Sequence, residues 1–153
     1  MKLLIVNGPN INMLGIREKH IYGDRDYAAL CRMIEGWVAE LGCEVELYQS
    51  NHEGAIVDRI QQAYSDGTDG IVINPAAYTH TSVAILDALK AVQLPAAEVH
   101  LTDVNAREPF RHVSYAGMAC AEHFIGLGFE GYHRAMEFLV GDVAGLSWRV
   151  SGR

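Results

Sequence analysis

Short apolar runs and stretches with helical spacing alternate along the chain. Apolar runs, or a strict alternation of apolar and polar residues, predict five β-strands, at about 2–6, 44–48, 70–73, 95–99 and 123–126. Apolar residues that recur every three or four positions between these strands predict four helices, at about 26–41, 53–64, 82–92 and 129–139. Asp26 suits the N-cap of the first helix, and either Thr81 or Ser82 suits that of the third.

The order of these elements predicts an α/β fold. Strands that alternate with helices of about 10–15 residues indicate a parallel, doubly wound sheet. For five strands, the favoured topology is flavodoxin-like, with strand order 2-1-3-4-5. We expect a single domain over 1–153, in which the Gly-rich stretch 141–153 forms a flexible tail.

Composition narrows the class of protein. The net charge of −7 argues against a nucleic-acid surface. No apolar run approaches the roughly 20 residues that span a bilayer, and the apolar run at the N-terminus is too short for a signal peptide. We therefore expect a cytoplasmic protein without a membrane partner. The three cysteines are odd in number and lack metal-binding spacing, so we expect neither disulfides nor a zinc site.

A long loop separates the first strand from the first helix. Residues 7–26 show no steady hydrophobic period, and long ordered loops in compact domains are often lids or binding loops. Arg17 and Tyr22 lie in this loop between Gly15 and Gly23, which are candidate hinges. The loop is therefore a candidate lid over a site at the end of the first strand.

The densest group of chemically active side chains follows the fourth strand. This group begins where the fourth strand ends and consists of Glu98, His100, Thr102, Arg107 and Arg111. Ligands of open α/β sheets bind outside the carboxyl ends of the strands. A histidine can donate or accept a proton near neutral pH. Glu98 lies two positions before His100, so it shares the same face of the strand and can orient the imidazole.

A second polar group follows the third strand, at Asn74, His80 and the helix start at Thr81 and Ser82. Backbone N–H groups at a helix start suit an anion. His80 is equally well explained as a solvated turn residue, and Asp87 as an ordinary surface acid. The sequence contains no glycine motif for nucleotides, no metal motif and no serine nucleophile elbow. The pattern that remains favours acid–base chemistry on a polar, anionic small molecule.

Four ordered motifs resemble those of type II 3-dehydroquinate dehydratases, at 7–23, 49–54, 74–87 and 98–111. They include Asn7-Gly-Pro-Asn10, Gln49-Ser50-Asn51-His52-Glu53-Gly54, Thr79-His80-Thr81-Ser82 and Glu98-Val-His100. The resemblance covers the chain from Lys2 to about Leu139. It implies cofactor-free, reversible anti dehydration of 3-dehydroquinate to 3-dehydroshikimate through an enolate, in the shikimate pathway or in quinate catabolism. It also implies a homo-dodecamer assembled as a tetramer of trimers.

The resemblance also assigns catalytic roles. Tyr22 resembles the base that removes the C2 proton, and Arg17 resembles the lid residue that keeps the phenolate ionised. His100 resembles the acid that protonates the departing C1 hydroxyl, with Glu98 as its orienting partner. Asn10 resembles the residue that holds a water against the enolate.

Substrate binding is assigned to a second set of residues by the same resemblance. Side chains that resemble the hydroxyl-binding residues are Asn74, His80 and Arg111. Leu101 and Thr102 resemble the residues that hold the substrate carboxylate through backbone N–H groups and a hydroxyl. Asp87 resembles the residue offered by a neighbouring subunit, and Arg107 resembles a supporting charge partner.

Three positions depart from the family pattern. Lys19 stands where Pro is common, Thr102 where Ser is usual, and Asp103 where Asn is usual. We expect the Asp103 side chain to point away from the site, because neighbours on extended backbone face opposite sides. Two alternatives remain open at the level of sequence: a non-enzymatic flavodoxin-like binding or signalling domain, and an acid–base lyase or isomerase that acts on a related polyhydroxy acid.

Overall fold

A five-stranded parallel sheet forms the centre of the molecule. The computed structural model describes residues 1–16, 20 and 25–145, of which 142–145 are described by their backbone alone. The strands are β1 Lys2–Asn7, β2 Glu44–Gln49, β3 Gly70–Asn74, β4 Ala96–His100 and β5 Glu122–Ile125. Their order in the sheet is β2-β1-β3-β4-β5, with every neighbouring pair parallel. The predicted flavodoxin-like topology is confirmed.

Among the described residues, four helices flank the sheet: α1 Tyr27–Leu41, α2 Glu53–Gln62, α3 Val83–Val92 and α4 Glu130–Gly145. The first three connect successive strands from β1 to β4, and α4 follows β5. Asp26 caps α1 by accepting a hydrogen bond from the Ala29 N–H, as the sequence predicts. Of the two candidate caps for α3, Ser82 is the one that accepts from the helix, at Ile85 N. No helix among the described residues is long and apolar enough to cross a membrane.

The sheet separates two hydrophobic cores, as the two-residue period of its strands requires. Leu3 and Ile5 of β1 face a core that includes Leu30 of α1 and Met136 of α4. The intervening residues of β1, Leu4 and Val6, face the other core, which α2 and α3 complete with the buried residues Ile56, Ile60, Ile85 and Leu89. Both faces of the sheet are therefore covered, and ligand access is left to its edges and ends.

The structure differs from the sequence prediction at the ends of elements. β1, β3 and β4 each end one residue after the predicted apolar run, on the buried polar residues Asn7, Asn74 and His100. α4 continues to Gly145, beyond the predicted end near residue 139. Part of the stretch expected to be a flexible tail is therefore helical, and residues 146–153 lie outside the described residues.

Candidate active site

The carboxyl ends of β1, β3 and β4 meet at one end of the sheet. Asn7 pairs with Asn74 in the strand register, so their side chains begin the loops side by side. A cavity of about 240 Å³ opens above these strand ends. Its lining residues are Pro9, Asn10, Ile11, Met13, Leu14, Asn74, Ala76, Ala77, His80, His100, Leu101, Thr102, Val104, Arg107 and Arg111. The cavity therefore combines residues from three loops that are distant in sequence.

Glu98 and His100 form a buried pair at the end of β4. Glu98 is 1% exposed and His100 is 5% exposed. His100 Nε2 donates to Glu98 Oε1 at 2.7 Å, which confirms that the two side chains share a face of the strand. Burial would raise the pKa of Glu98, but the hydrogen bond and charge attraction of His100 and the hydrogen bonds from Ser114 and His123 outweigh it and lower the pKa to about 2. The carboxylate is therefore ionised, and the His100 ring has Nδ1 left for a ligand.

Two further donors hold Glu98, and sequence reasoning missed both. Ser114 Oγ donates to Oε1, the oxygen that also accepts from His100. His123 Nδ1 donates to Oε2 at 2.8 Å. His123 lies in β5, directly opposite Glu98 in the strand register. The sheet register brings His123 to Glu98, and no local motif in the sequence marks this pairing.

His80 presents an acceptor to the cavity. It ends the 3₁₀ turn Ala76–His80 and is half-buried. Its Nδ1 donates to the Val113 carbonyl at 2.8 Å, so in the neutral ring the free nitrogen is Nε2. Burial lowers the pKa of His80, and the nearby His100 and Arg111 lower it further. A neutral His80 can therefore accept a hydrogen bond from a ligand hydroxyl at neutral pH.

Arg107 and Arg111 supply positive charge to the cavity wall. Arg111 Nε donates to Glu108 Oε2 at 2.7 Å, and its guanidinium lies 5.0 Å from the centre of the Phe110 ring. Arg107 Nε lies 3.9 Å from the same Glu108 oxygen. Both guanidinium groups are thus held next to Glu108, at the turn Pro109–Arg111 and just before it in the chain. Their positive charges can attract an anionic ligand.

Asn10 lies at a sharp turn after β1. Its φ of 69° is left-handed, a conformation that Asn tolerates better than most residues. The Asn10 N–H donates to Asn51 Oδ1 at 3.0 Å, and Gln49 Nε2 donates to the same oxygen at 3.2 Å. The loop after β2 thus supports the turn that places Asn10 in the cavity wall.

A buried tyrosine connects the ends of β1 and β3. Tyr132 of α4 is fully buried, donates through its hydroxyl to Asn7 Oδ1 at 2.5 Å, and accepts from Asn74 Nδ2 at 2.9 Å. Asn74 Oδ1 accepts from the Ala76 N–H at 3.2 Å. Burial raises the pKa of the Tyr132 phenol well above its usual value. Tyr132 is therefore a neutral structural bridge below the cavity.

Comparisons with known proteins decide the family. A family model described as dehydroquinase class II matches residues 1–140. The chain belongs to this family. The 3-dehydroquinate dehydratase of Lachnoclostridium phytofermentans is 53% identical, over 92% of this chain and 97% of its own length. The catabolic 3-dehydroquinase of Aspergillus oryzae is 55% identical, over 88% of each chain. The crystal structure of the type II dehydroquinase from Butyrivibrio crossotus matches with a TM-score of 0.89 at 54% identity, over 91% of this chain and 97% of its own.

The dehydroquinase fold brings most of the predicted site residues to one cavity. Those that line it are Asn10, Asn74, His80, His100, Leu101, Thr102, Arg107 and Arg111. Glu98 lies behind His100 and does not line the cavity. Asp87 is exposed on α3 and does not line it either. The predicted base and lid residues, Tyr22 and Arg17, lie outside the described residues, as does Lys19.

Asp103, one of the three departures from the family pattern, is engaged in the turn that follows it. Its side chain accepts a hydrogen bond from the Asn105 N–H at 3.0 Å, capping the turn Val104–Ala106, and it does not line the cavity. The carboxylate therefore takes no part in the cavity lining, in line with the expectation that it points away from the site. Within the part of the chain that the structure describes, no cluster of three or more His, Cys, Asp or Glu residues could hold a metal ion.

Proposed function

We propose that this dehydroquinase removes water from 3-dehydroquinate by acid–base catalysis in the cavity at the end of β4, with His100 as the general acid. Dehydration of 3-dehydroquinate is the reaction of its family. The observation that carries the assignment is the buried Glu98–His100 pair, which places one imidazole nitrogen against an ionised carboxylate and leaves the other for the substrate. The product is 3-dehydroshikimate, formed through an enolate.

The proton on His100 Nδ1 goes to the departing C1 hydroxyl. Glu98 holds Nε2 in its protonated form, so the ring carries a second proton on Nδ1 when it is an imidazolium. The Glu98 carboxylate also stabilises the positive charge of the His100 imidazolium, as expected of a carboxylate that orients an imidazole. After transfer, the ring returns to the neutral form with Nε2 still bonded to Glu98.

We assign the base that removes the C2 proton to Tyr22, with Arg17 keeping its phenolate ionised. The described tyrosines support this assignment by elimination, because none of them lines the cavity. Burial is the main reason that the pKa of Tyr27 is raised to about 12, so its phenol is less readily ionised than a free tyrosine. A free tyrosine has a pKa of about 10, and lowering it by ~2–3 units requires ~3–4 kcal/mol. One arginine at about 4 Å supplies ~4 kcal/mol at an effective dielectric near 20.

The remaining lining residues bind the substrate in this proposal. The Arg111 guanidinium, the neutral His80 ring and the Asn74 amide receive hydroxyl groups. Leu101 and Thr102 follow β4 directly, and their N–H groups with the Thr102 hydroxyl hold the carboxylate. Asn10 holds a water that stabilises the enolate oxygen. No cofactor has a role in these steps.

We further propose that the active form is a cytoplasmic homo-dodecamer, built as a tetramer of trimers, in which Asp87 serves the site of a neighbouring subunit. The exposed position of Asp87 on α3, outside the cavity of its own subunit, supports this assignment. Exposure leaves the carboxylate available to a second copy of the chain.

The test is the absorbance rise of the conjugated enone when purified protein meets 3-dehydroquinate in the presence of a chelator. Tyr22→Phe should remove nearly all turnover. Tyr64→Phe, at a tyrosine that is 65% exposed and outside the cavity lining, should leave turnover unchanged. A Tyr22→Phe variant with most of its activity would refute the base assignment. No absorbance rise from folded wild-type protein would refute the reaction itself.

A further inference from the structure

The Glu98 carboxylate is anchored from two directions. Oε1 accepts hydrogen bonds from His100 and Ser114, whereas among the described residues Oε2 accepts from His123 alone, at 2.8 Å. The two oxygens of a carboxylate are rigidly connected. A bond on Oε2 therefore restricts rotation of the same group whose Oε1 orients His100. Neither Ser114 nor His123 lines the cavity.

Sheet geometry explains how His123 reaches Glu98. β4 and β5 are parallel neighbours, and Glu98 pairs with His123 in their register, so both side chains leave the sheet on the same face. β5 is the outermost strand on this side of the sheet, and the His123 side chain is 41% exposed. His123 is thus a surface residue with one nitrogen directed at a carboxylate that is almost completely buried.

The turn after Tyr115 leaves room for this arrangement. Gly117 lies in the 3₁₀ turn Ala116–Ala119, and its N–H donates to Ser114 Oγ at 2.9 Å. A Cβ atom at Gly117 would collide with Glu98 Oε2 and would lie 3.1 Å from His123 Cε1. The backbone of this turn therefore packs directly against the carboxylate and its anchor, so that Glu98 has little space to rotate away.

We propose that His123 is a positioning residue for the dehydration: by holding Oε2 of Glu98, it fixes the carboxylate plane and thereby the direction of the His100 ring. This inference rests on the proposed function, because it concerns the acid of that reaction. His123 acts through Glu98 and does not touch the substrate. Its loss should therefore lower kcat, by misdirecting Nδ1, while KM stays close to the wild-type value.

Asn and Leu have similar shapes, so substituting each of them for His123 separates the effect of the hydrogen bond to Glu98 from the effect of packing. In His123→Asn, the amide nitrogen takes the place of Nδ1 and can donate to Oε2. In His123→Leu, a methyl group stands at that point and donates nothing. We expect His123→Leu to lower kcat about tenfold, the scale of one charge-assisted hydrogen bond, and His123→Asn to restore kcat to within about threefold of wild type.

The measurement is kcat and KM for wild type and both variants, with thermal melting to confirm that each is folded. Equal kcat for His123→Leu and wild type would overturn the proposal, as would Leu and Asn variants that are equally slow. A change confined to KM would also overturn it. Failure of the proposed function has a different signature, since the wild type itself would then leave 3-dehydroquinate unchanged.

Discussion

Glu98→Gln removes one charge from the buried pair and changes the size of the side chain little. The hydrogen bond and charge attraction of His100, with hydrogen bonds from Ser114 and His123, outweigh the effect of burial and lower the pKa of Glu98 from 4.5 to about 2. A lowering of roughly 2.5 units corresponds to about 3 kcal/mol of folding stability at neutral pH. Because the pKa is lower in the folded state, this stability is fully present above pH 4.5 and is lost as the pH falls through about 2.

The charge also supports catalysis. A unit negative charge about 4 Å from the imidazolium is worth up to ~4 kcal/mol at an effective dielectric near 20. With the amide oxygen in the place of Oε1, the hydrogen bond from His100 Nε2 survives in the Gln variant, whereas the amide nitrogen in the place of Oε2 no longer accepts from His123. Only part of the charge interaction is therefore lost. We expect kcat to fall by roughly 10–10²-fold. KM should change little, because Glu98 does not line the cavity.

Two assays check these expectations. Initial rates of enone formation at saturating substrate give kcat. Urea unfolding at several pH values gives the stability difference between wild type and Glu98→Gln, which should be up to about 3 kcal/mol at pH 7 and should shrink between about pH 4.5 and pH 2. A variant that keeps a third or more of the wild-type kcat would refute the electrostatic role of Glu98. A stability difference that does not depend on pH would refute the cause given for its low pKa.

Two other perturbations follow from the site. Tyr132→Phe removes the hydroxyl that joins Asn7 and Asn74, so it should lower the free energy of unfolding by about 1–3 kcal/mol. Urea denaturation measures this difference, and an unchanged free energy of unfolding would contradict the bridging role of Tyr132. Because burial lowers the pKa of His80 from 6.5, the ring should stay neutral above that pH, and protonation at lower pH should block its Nε2 acceptor. KM should therefore be constant above about pH 6.5 and rise at lower pH. His80→Asn keeps the donor to Val113 but lacks Nε2, so it should raise KM severalfold and remove the pH dependence of KM.

The sheet could be predicted from the sequence because burial on both faces produces apolar runs that helices separate. The ends of the strands could not be placed as well. Asn7, Asn74 and His100 continue the backbone pairing of their strands, yet their polar side chains end the apolar pattern one residue earlier. The end of α4 was also misplaced, since the Gly-rich stretch from Gly141 was interpreted as a tail. A single glycine costs only ~1 kcal/mol in a helix, and Val140 still packs against the core.

The site was predictable where function follows local sequence. Glu98 and His100 are two residues apart on one strand, and this spacing alone brings them to the same face. His123 gave no comparable signal, because its partner is fixed by the register of β4 and β5. Tyr132 has the spacing of a core residue on α4, and the helical pattern does not reveal that its hydroxyl reaches Asn7 and Asn74.

The hydrogen-bonding direction of the cavity residues is set by groups behind the cavity wall. Asn74 gives one N–H to Tyr132 and accepts the Ala76 N–H at Oδ1, so turning the amide over would place two donors face to face. Its second N–H is thus left as a donor for the cavity. His80 gives Nδ1–H to Val113 and is left as an acceptor. His100 gives Nε2–H to Glu98 and is left with Nδ1 as the nitrogen that loses and regains a proton. A donor, an acceptor and an acid in fixed orientations suit a substrate with several hydroxyl groups, of which one leaves as water.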